Sequence, residues 1–67
     1  MELYVNSNTD YSIRDEKGKK YTLQEAKELW ESGKVADCNL SFQRLATFMN
    51  FDIEALKKFY TEIDRVV

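Results

Sequence analysis

Apolar positions along this chain change their period near residue 22: before it they alternate, after it they recur every three or four residues. Residues 2 to 5 (ELYV) alternate as a half-buried strand does. Asn6 to Asp10 (NSNTD) is a polar turn cluster. Alternation returns over Tyr11 to Arg14, with Tyr11 and Ile13 expected on one face. Asp15 to Lys19 (DEKGK) then reads as a short hairpin loop in which Gly18 supplies a positive φ. Lys20 and Tyr21 begin the return strand. Residues 1 to 21 therefore predict an antiparallel meander of two or three strands.

The helical part begins at Thr22, which with Glu25 three residues on forms a capping-box signature. A first helix is predicted from Leu23 to about Ser32, with Leu23, Ala26, Leu29 and Trp30 as its apolar stripe. Gly33 fits the left-handed residue just past its end. Residues 34 to 40 read as a connector with Val35, Ala36 and Cys38 available for packing. Ser41 is positioned to cap a second helix, Phe42 to Met49, and Asn50 to end it. Asp52 is positioned to cap a third, Ile53 to about Val66, whose buried face is Ile53, Leu56, Phe59, Tyr60 and Ile63. Phe42, Phe48, Phe51, Phe59, Tyr21 and Trp30 are expected in the core. Tyr4, Tyr11 and Tyr60 are expected to be partly exposed. The fold class that follows is α+β in one domain, 1–67: a meander at 1–21 and a helical part at 22–67. No repeat or linker interrupts it.

Within residues 40 to 60, Leu45, Ala46, Met49, Phe51, Leu56 and Phe59 have the spacing that two short helices meeting at a tight elbow require. Ala46 is small where the helices would touch, Asn50 tolerates positive φ, and Phe51 follows as an apolar plug. The segment resembles the helix-turn-helix of phage-repressor-type DNA-binding proteins, which would give 41–66 that geometry. The resemblance implies that Asp52, Ile53, Glu54, Lys57, Lys58 and Thr61 face outward on the second helix of the pair. Lys57 and Lys58 would meet phosphates or guanine edges. It further implies a transcription regulator of phage or mobile-element kind acting as a homodimer, since a dimer doubles the phosphate contacts of one copy.

Charge complicates the choice of target. Ten basic residues stand against twelve acidic ones, for a net −2. From residue 41 onward Arg44, Lys57, Lys58 and Arg65 are balanced by Asp52, Glu54, Glu62 and Asp64, and Asp52 and Glu54 would face a polyanion. The hairpin loop adds Lys17, Lys19 and Lys20, which either reach phosphates as a wing does or protect a sheet edge from pairing. The other reading is a protein-binding inhibitor or modulator of a larger partner, in the manner of small phage-encoded anti-defence proteins. Surface available for either target comprises Ile53, Glu54, Lys57, Lys58, Thr61, Arg44 and the three hairpin lysines.

Catalytic chemistry has little to draw on. There is no histidine, so the commonest general base and metal ligand is missing. Cys38 is the single cysteine and sits in an apolar stretch, as a packing thiol does. Asn6, Asn8 and Asp10 have calcium-loop spacing, but Tyr11 stands where that loop turns on glycine and Lys17 where it needs glutamate. Two glycines fifteen positions apart build no phosphate loop. The expectation is a non-enzymatic binding protein without cofactor or metal. With no leader pattern and no long apolar run, it is expected to be cytoplasmic and independent of a membrane.

Overall fold

The structure is a computed structural model and describes residues 1–64. The expected alternation forms β1 (Glu2–Val5), with Leu3 and Val5 buried and Glu2 and Tyr4 turned to the other face. It pairs antiparallel with β2 (Ile13–Asp15) in the register Leu3↔Asp15, Tyr4↔Arg14 and Val5↔Ile13. Strand β3 (Lys20–Tyr21) pairs antiparallel with β2. These three are the predicted meander.

Two features depart from it. Strand β2 starts at Ile13 because Tyr11 adopts a left-handed conformation (φ 57), which breaks the pleat and removes it from the strand face shared with Ile13. The stretch read as a connector contributes β4 (Asp37–Cys38), which runs parallel to β1 with Glu2 opposite Asp37 and Leu3 opposite Cys38. The sheet is therefore mixed, in the order β3-β2-β1-β4. Two residues are too few to show a period, so pairing needs rather than alternation make this strand. Backbone bonding extends the contact upstream: the Ala36 N–H donates to the Met1 carbonyl at 2.7 Å, and the Met1 ammonium to the Lys34 carbonyl at 3.1 Å.

The β2–β3 hairpin is organised by Asp15, an inward-facing carboxylate. Its Oδ1 accepts the N–H groups of Lys17 and Lys19, both at 2.9 Å, and its Oδ2 accepts the Tyr21 hydroxyl at 2.9 Å. Gly18 (φ 86) lets the loop close back on this carboxylate. Burial alone would raise the Asp15 pKa; the Lys19 N–H, the Tyr21 hydroxyl and the Lys17 N–H outweigh it and hold the pKa below the usual carboxylate range.

Helix α1 (Leu23–Glu31) starts with both halves of the predicted capping box: Glu25 N–H on Thr22 Oγ1 at 3.1 Å, and Thr22 N–H on Glu25 Oε1 at 3.0 Å. Ala26 is buried and Leu29 and Trp30 pack on the core, while Leu23 in the first turn stays exposed. Gly33 follows the helix at φ 74. Helix α2 (Leu40–Thr47) begins two residues earlier than predicted, because Asn39 and not Ser41 is its cap. The Asn39 Oδ1 accepts the Phe42 N–H at 3.0 Å and the Val5 N–H at 3.1 Å, while its Nδ2 donates to the Val5 carbonyl at 2.9 Å. The side chain thus extends the β1–β4 contact by one step and starts the helix with the same atoms. Ser41, relieved of capping, turns inward and is buried.

Helix α3 (Ile53–Asp64) starts where predicted, with Asp52 Oδ1 accepting the Ala55 N–H at 3.2 Å. Its predicted continuation to Val66 lies outside the described residues. Phe48–Asp52 joins α2 to α3, and both Asn50 (φ 51) and Phe51 (φ 61) are left-handed. Asn50 takes that conformation readily. A phenylalanine there carries strain on the order of 1–3 kcal/mol. Phe51 is nevertheless buried, edge-on to Phe42 at 6.0 Å, with its N–H on the Leu45 carbonyl at 2.9 Å. The core comprises Leu3, Val5, Ile13, Ala26, Phe42, Leu45, Phe51 and Leu56, with Ala46 half-buried beside it.

Three residues expected in the core are outside it: Phe48, Ile63 and Phe59, the last half-buried beside Arg44 rather than in the core cluster. Phe48 is 76% exposed and Ile63 46% exposed. Phe48 follows the last turn of α2, past the turns whose Ser41, Phe42 and Leu45 are buried. Ile63 lies in the last turn of a twelve-residue helix packed beside an eight-residue one, so α3 outruns its support.

Asn39→Ala removes a helix cap and leaves the Val5 N–H and carbonyl without partners. Urea denaturation is expected to give a stability lower by about 2–4 kcal/mol, with Asn39→Asp, which keeps the acceptor but not the donor, falling between it and the wild type. The acid limb of stability is expected from Asp10, Asp15 and Glu25, whose folded pKa values all lie below their ordinary ones; that of Asp10 falls to about 2 through its bonds with Ser12 and Thr9. Their contribution is complete only above about pH 5, clear of the ordinary Glu25 value of 4.5, and drains away as pH falls toward 2. A thermal-midpoint series over that range should show this loss, and Asp10→Asn with Asp15→Asn should flatten it.

Candidate functional site

The 6–12 loop, α2 and α3 converge on one polar and aromatic cluster. Arg44 of α2 lays its guanidinium 5.2 Å from the Phe59 ring centroid and 5.6 Å from that of Tyr60. Its Nη1 donates to the Tyr60 hydroxyl oxygen at 3.2 Å. That oxygen lies 2.8 Å from Ser41 Oγ, which lies 2.8 Å from Ser7 Oγ. Burial works to raise the Tyr60 pKa, but Ser41 and the Arg44 cation favour the phenolate more and leave the pKa below its ordinary value. The ring of Tyr60 also meets those of Tyr11 at 6.4 Å and Phe59 at 5.6 Å. One chain of hydrogen bonds therefore ties the loop to both helices, and Arg44 belongs to it.

The residues proposed for α3 are distributed unevenly. Glu54, Lys58 and Thr61 are exposed, but Ile53 is half-buried and packs on the core. Lys57 is half-buried: its Nζ lies 3.5 Å from Glu54 Oε1 and 5.6 Å over the Tyr11 ring. The Thr61 hydroxyl donates back to the Lys57 carbonyl at 2.9 Å. Glu54, Lys57, Lys58, Thr61 and Glu62 line a shallow depression. All five stand on one helix, so the depression has no opposing wall. Its charges are two cations and two anions.

The hairpin lysines are elsewhere. Lys17 and Lys19 are exposed beyond the Asp15 end of β2 and Lys20 is exposed on β3 opposite Arg14, whereas Tyr11, which touches Lys57, precedes the Ile13 end. The length of β2 separates the two basic groups. Lys19 is further occupied over the Tyr21 ring at 5.3 Å. A second shallow depression, between β3 and α1, is lined by Tyr21, Glu25, Glu28, Leu29, Ser32 and Lys34, and the Glu25 carboxylate there is already committed to the α1 cap. Cys38 faces inward, in register with Leu3; burial and the Asp37 carboxylate push its thiol pKa up and suppress the thiolate.

The most exposed large apolar residues were not among the residues proposed from sequence. Leu40 is 58% exposed and Phe48 76% exposed. With Asn39 as cap, Leu40, Arg44 and the C-cap Phe48 recur at four-residue spacing along α2; Leu40 and Phe48 are exposed, and Arg44 between them is half-buried against α3. The signal was present in the sequence, but assigning Phe48 to the core and the cap to Ser41 concealed it. No protein-family model, curated protein or solved structure matches this chain.

Tyr60→Phe removes the hydroxyl that joins Ser41 to Arg44 and keeps the ring. Denaturation is expected to show a loss of about 1–2 kcal/mol, the usual consequence of leaving a buried hydroxyl such as that of Ser41 short of a partner.

Proposed function

We propose that this chain is a non-enzymatic protein-binding module whose contact surface is the outer side of α2, with Phe48 and Leu40 as its apolar anchors. The observation that carries the reading is the 76% exposure of Phe48, one helical turn from Arg44 and two from the exposed Leu40. Scattered single hydrophobes on a surface need no explanation; here two large ones stand about two turns apart along one short helix, on either side of an arginine. Aromatic residues and arginine are also the side chains enriched where protein interfaces draw their affinity. The partner is a larger protein that the module inhibits or modulates.

DNA binding is the second reading. A left-handed Asn50, a buried Phe51 and a buried Leu56 favour it, since a repressor-type elbow needs them at these positions. Exposed Lys58 would be its phosphate contact. What weakens it is supply: Lys57 lies beside Glu54, and Asp52, Glu54 and Glu62 share the outward face. Affinity for duplex DNA comes mainly from neutralised phosphates, and this face offers few cations to neutralise them.

The two readings part in one paired experiment. A tagged wild-type chain passed through a lysate of its source cells is expected to retain one stoichiometric protein, and Leu40→Gln with Phe48→Ser to lose it while the circular dichroism spectrum stays the same. Gel shifts with random duplex at low and high salt are expected to show no band. A salt-sensitive shift that Lys57→Ala with Lys58→Ala abolishes would reverse the order of the readings.

A further inference from the structure

Resting on the protein-binding reading, we infer that the occupant of the α2 face is an acidic amphipathic helix of a different protein, which places a carboxylate on Arg44 between two apolar side chains. The spacing supplies the first half of the argument. Leu40, Arg44 and Phe48 stand at i, i+4 and i+8, so about 6 Å separates each from the next along the helix axis. A partner helix repeats that spacing with apolar residues about two turns apart and a carboxylate between them.

Charge supplies the second half. The sequence of α2, LSFQRLAT, holds one cation and no anion, in a chain whose net charge is −2. Arg44 is fixed rather than loose: Phe59 and Tyr60 flank its guanidinium, and Nη1 is held by the Tyr60 hydroxyl. A guanidinium pre-oriented in this way binds a carboxylate at low entropic cost.

The same charge argues against a second copy as occupant. A symmetric pairing of α2 with α2 of another copy would bring Arg44 against Arg44 at its centre. No acid on either helix would separate them, and like charges opposed across an interface are unfavourable.

The test uses the intact chain, isotope-labelled for amide spectra, and three synthetic amphipathic helices about fifteen residues long, near the length at which isolated helices become stable. The three share apolar anchors at i and i+7 and carry glutamate, glutamine or lysine at i+3 and i+4. The glutamate peptide is expected to shift amides of Leu40 to Phe48, and to bind about tenfold more tightly than the glutamine peptide, the ratio for one charge-assisted hydrogen bond. The lysine peptide is expected to bind least. Arg44→Gln should erase the difference between glutamate and glutamine peptides. Because the peptide series needs no mutation, it stands even if that variant is poorly folded. Equal or stronger binding of the glutamine or lysine peptide at α2 would overturn the acidic occupant and leave the protein-binding reading in place. Silence of α2 toward all three, with duplex DNA instead shifting Lys57, Lys58 and Thr61, would overturn both.

Discussion

The amide of Asn39 joins the sheet to the helices. Its oxygen accepts from the Val5 N–H and the Phe42 N–H, and its nitrogen donates to the Val5 carbonyl. Strand β1 is flanked by β2 on one side and β4 on the other, so Val5 belongs to an inner strand. The tie fixes where α2 begins, and hence the rotation of that helix about its own axis. Phe42 and Leu45 are turned onto β1 and sealed. Leu40 and Phe48 are, by the same rotation, left exposed, and Arg44 is half-buried against Phe59 and Tyr60 of α3. A cap displaced by two residues would rotate the helix by about 200°, at 100° per residue, and would exchange much of the buried side for the exposed one.

A second tie restrains what Asn39 leaves open. The bonds from Ser7 through Ser41 and Tyr60 to Arg44 reach from the 6–12 loop across α2 to α3. Each member is polar, yet among the described residues no buried side-chain oxygen or nitrogen lacks a partner. A satisfied network of this kind specifies one arrangement, because any other leaves a hydroxyl or a guanidinium short of bonds. It also sets the position of the Arg44 guanidinium before any ligand arrives.

Local rules made the first third and the first helix legible. Alternation placed Leu3 and Val5 inward, DEKGK turned at Gly18, and Thr22 with Glu25 built the capping box as read. The misplaced strand and the misplaced cap share a cause, which is that tertiary pairing overrode local signals. Asp37 and Cys38 become a strand because β1 has an edge to fill, and a two-residue strand has no period to detect. Ser41 is a good cap in isolation, but Asn39 can cap and pair with Val5 at once, and only the folded chain brings Val5 within reach. The outward set on α3 was legible for Glu54, Lys58 and Thr61, which depend on helical spacing alone. It failed for Ile53, which the core claims, and Arg44 turned out to be committed to Tyr60 and Phe59.

Phe48 and Phe51 make the contrast between folding and binding concrete. Three positions apart, one is driven into the core through a left-handed backbone that a phenylalanine adopts only under strain, and the other is left in solvent. For stability alone a polar residue at position 48 would serve as well, because Phe48 closes no gap in the core cluster. A chain this small has few large hydrophobes to place, and burying them is its main source of stability. Leaving a phenylalanine outside, on the same side of α2 as Leu40 and an oriented guanidinium, forgoes that stabilisation in the isolated chain. In the proposed complex, a partner that covers Phe48 and Leu40 would remove from water the apolar surface that this fold leaves exposed.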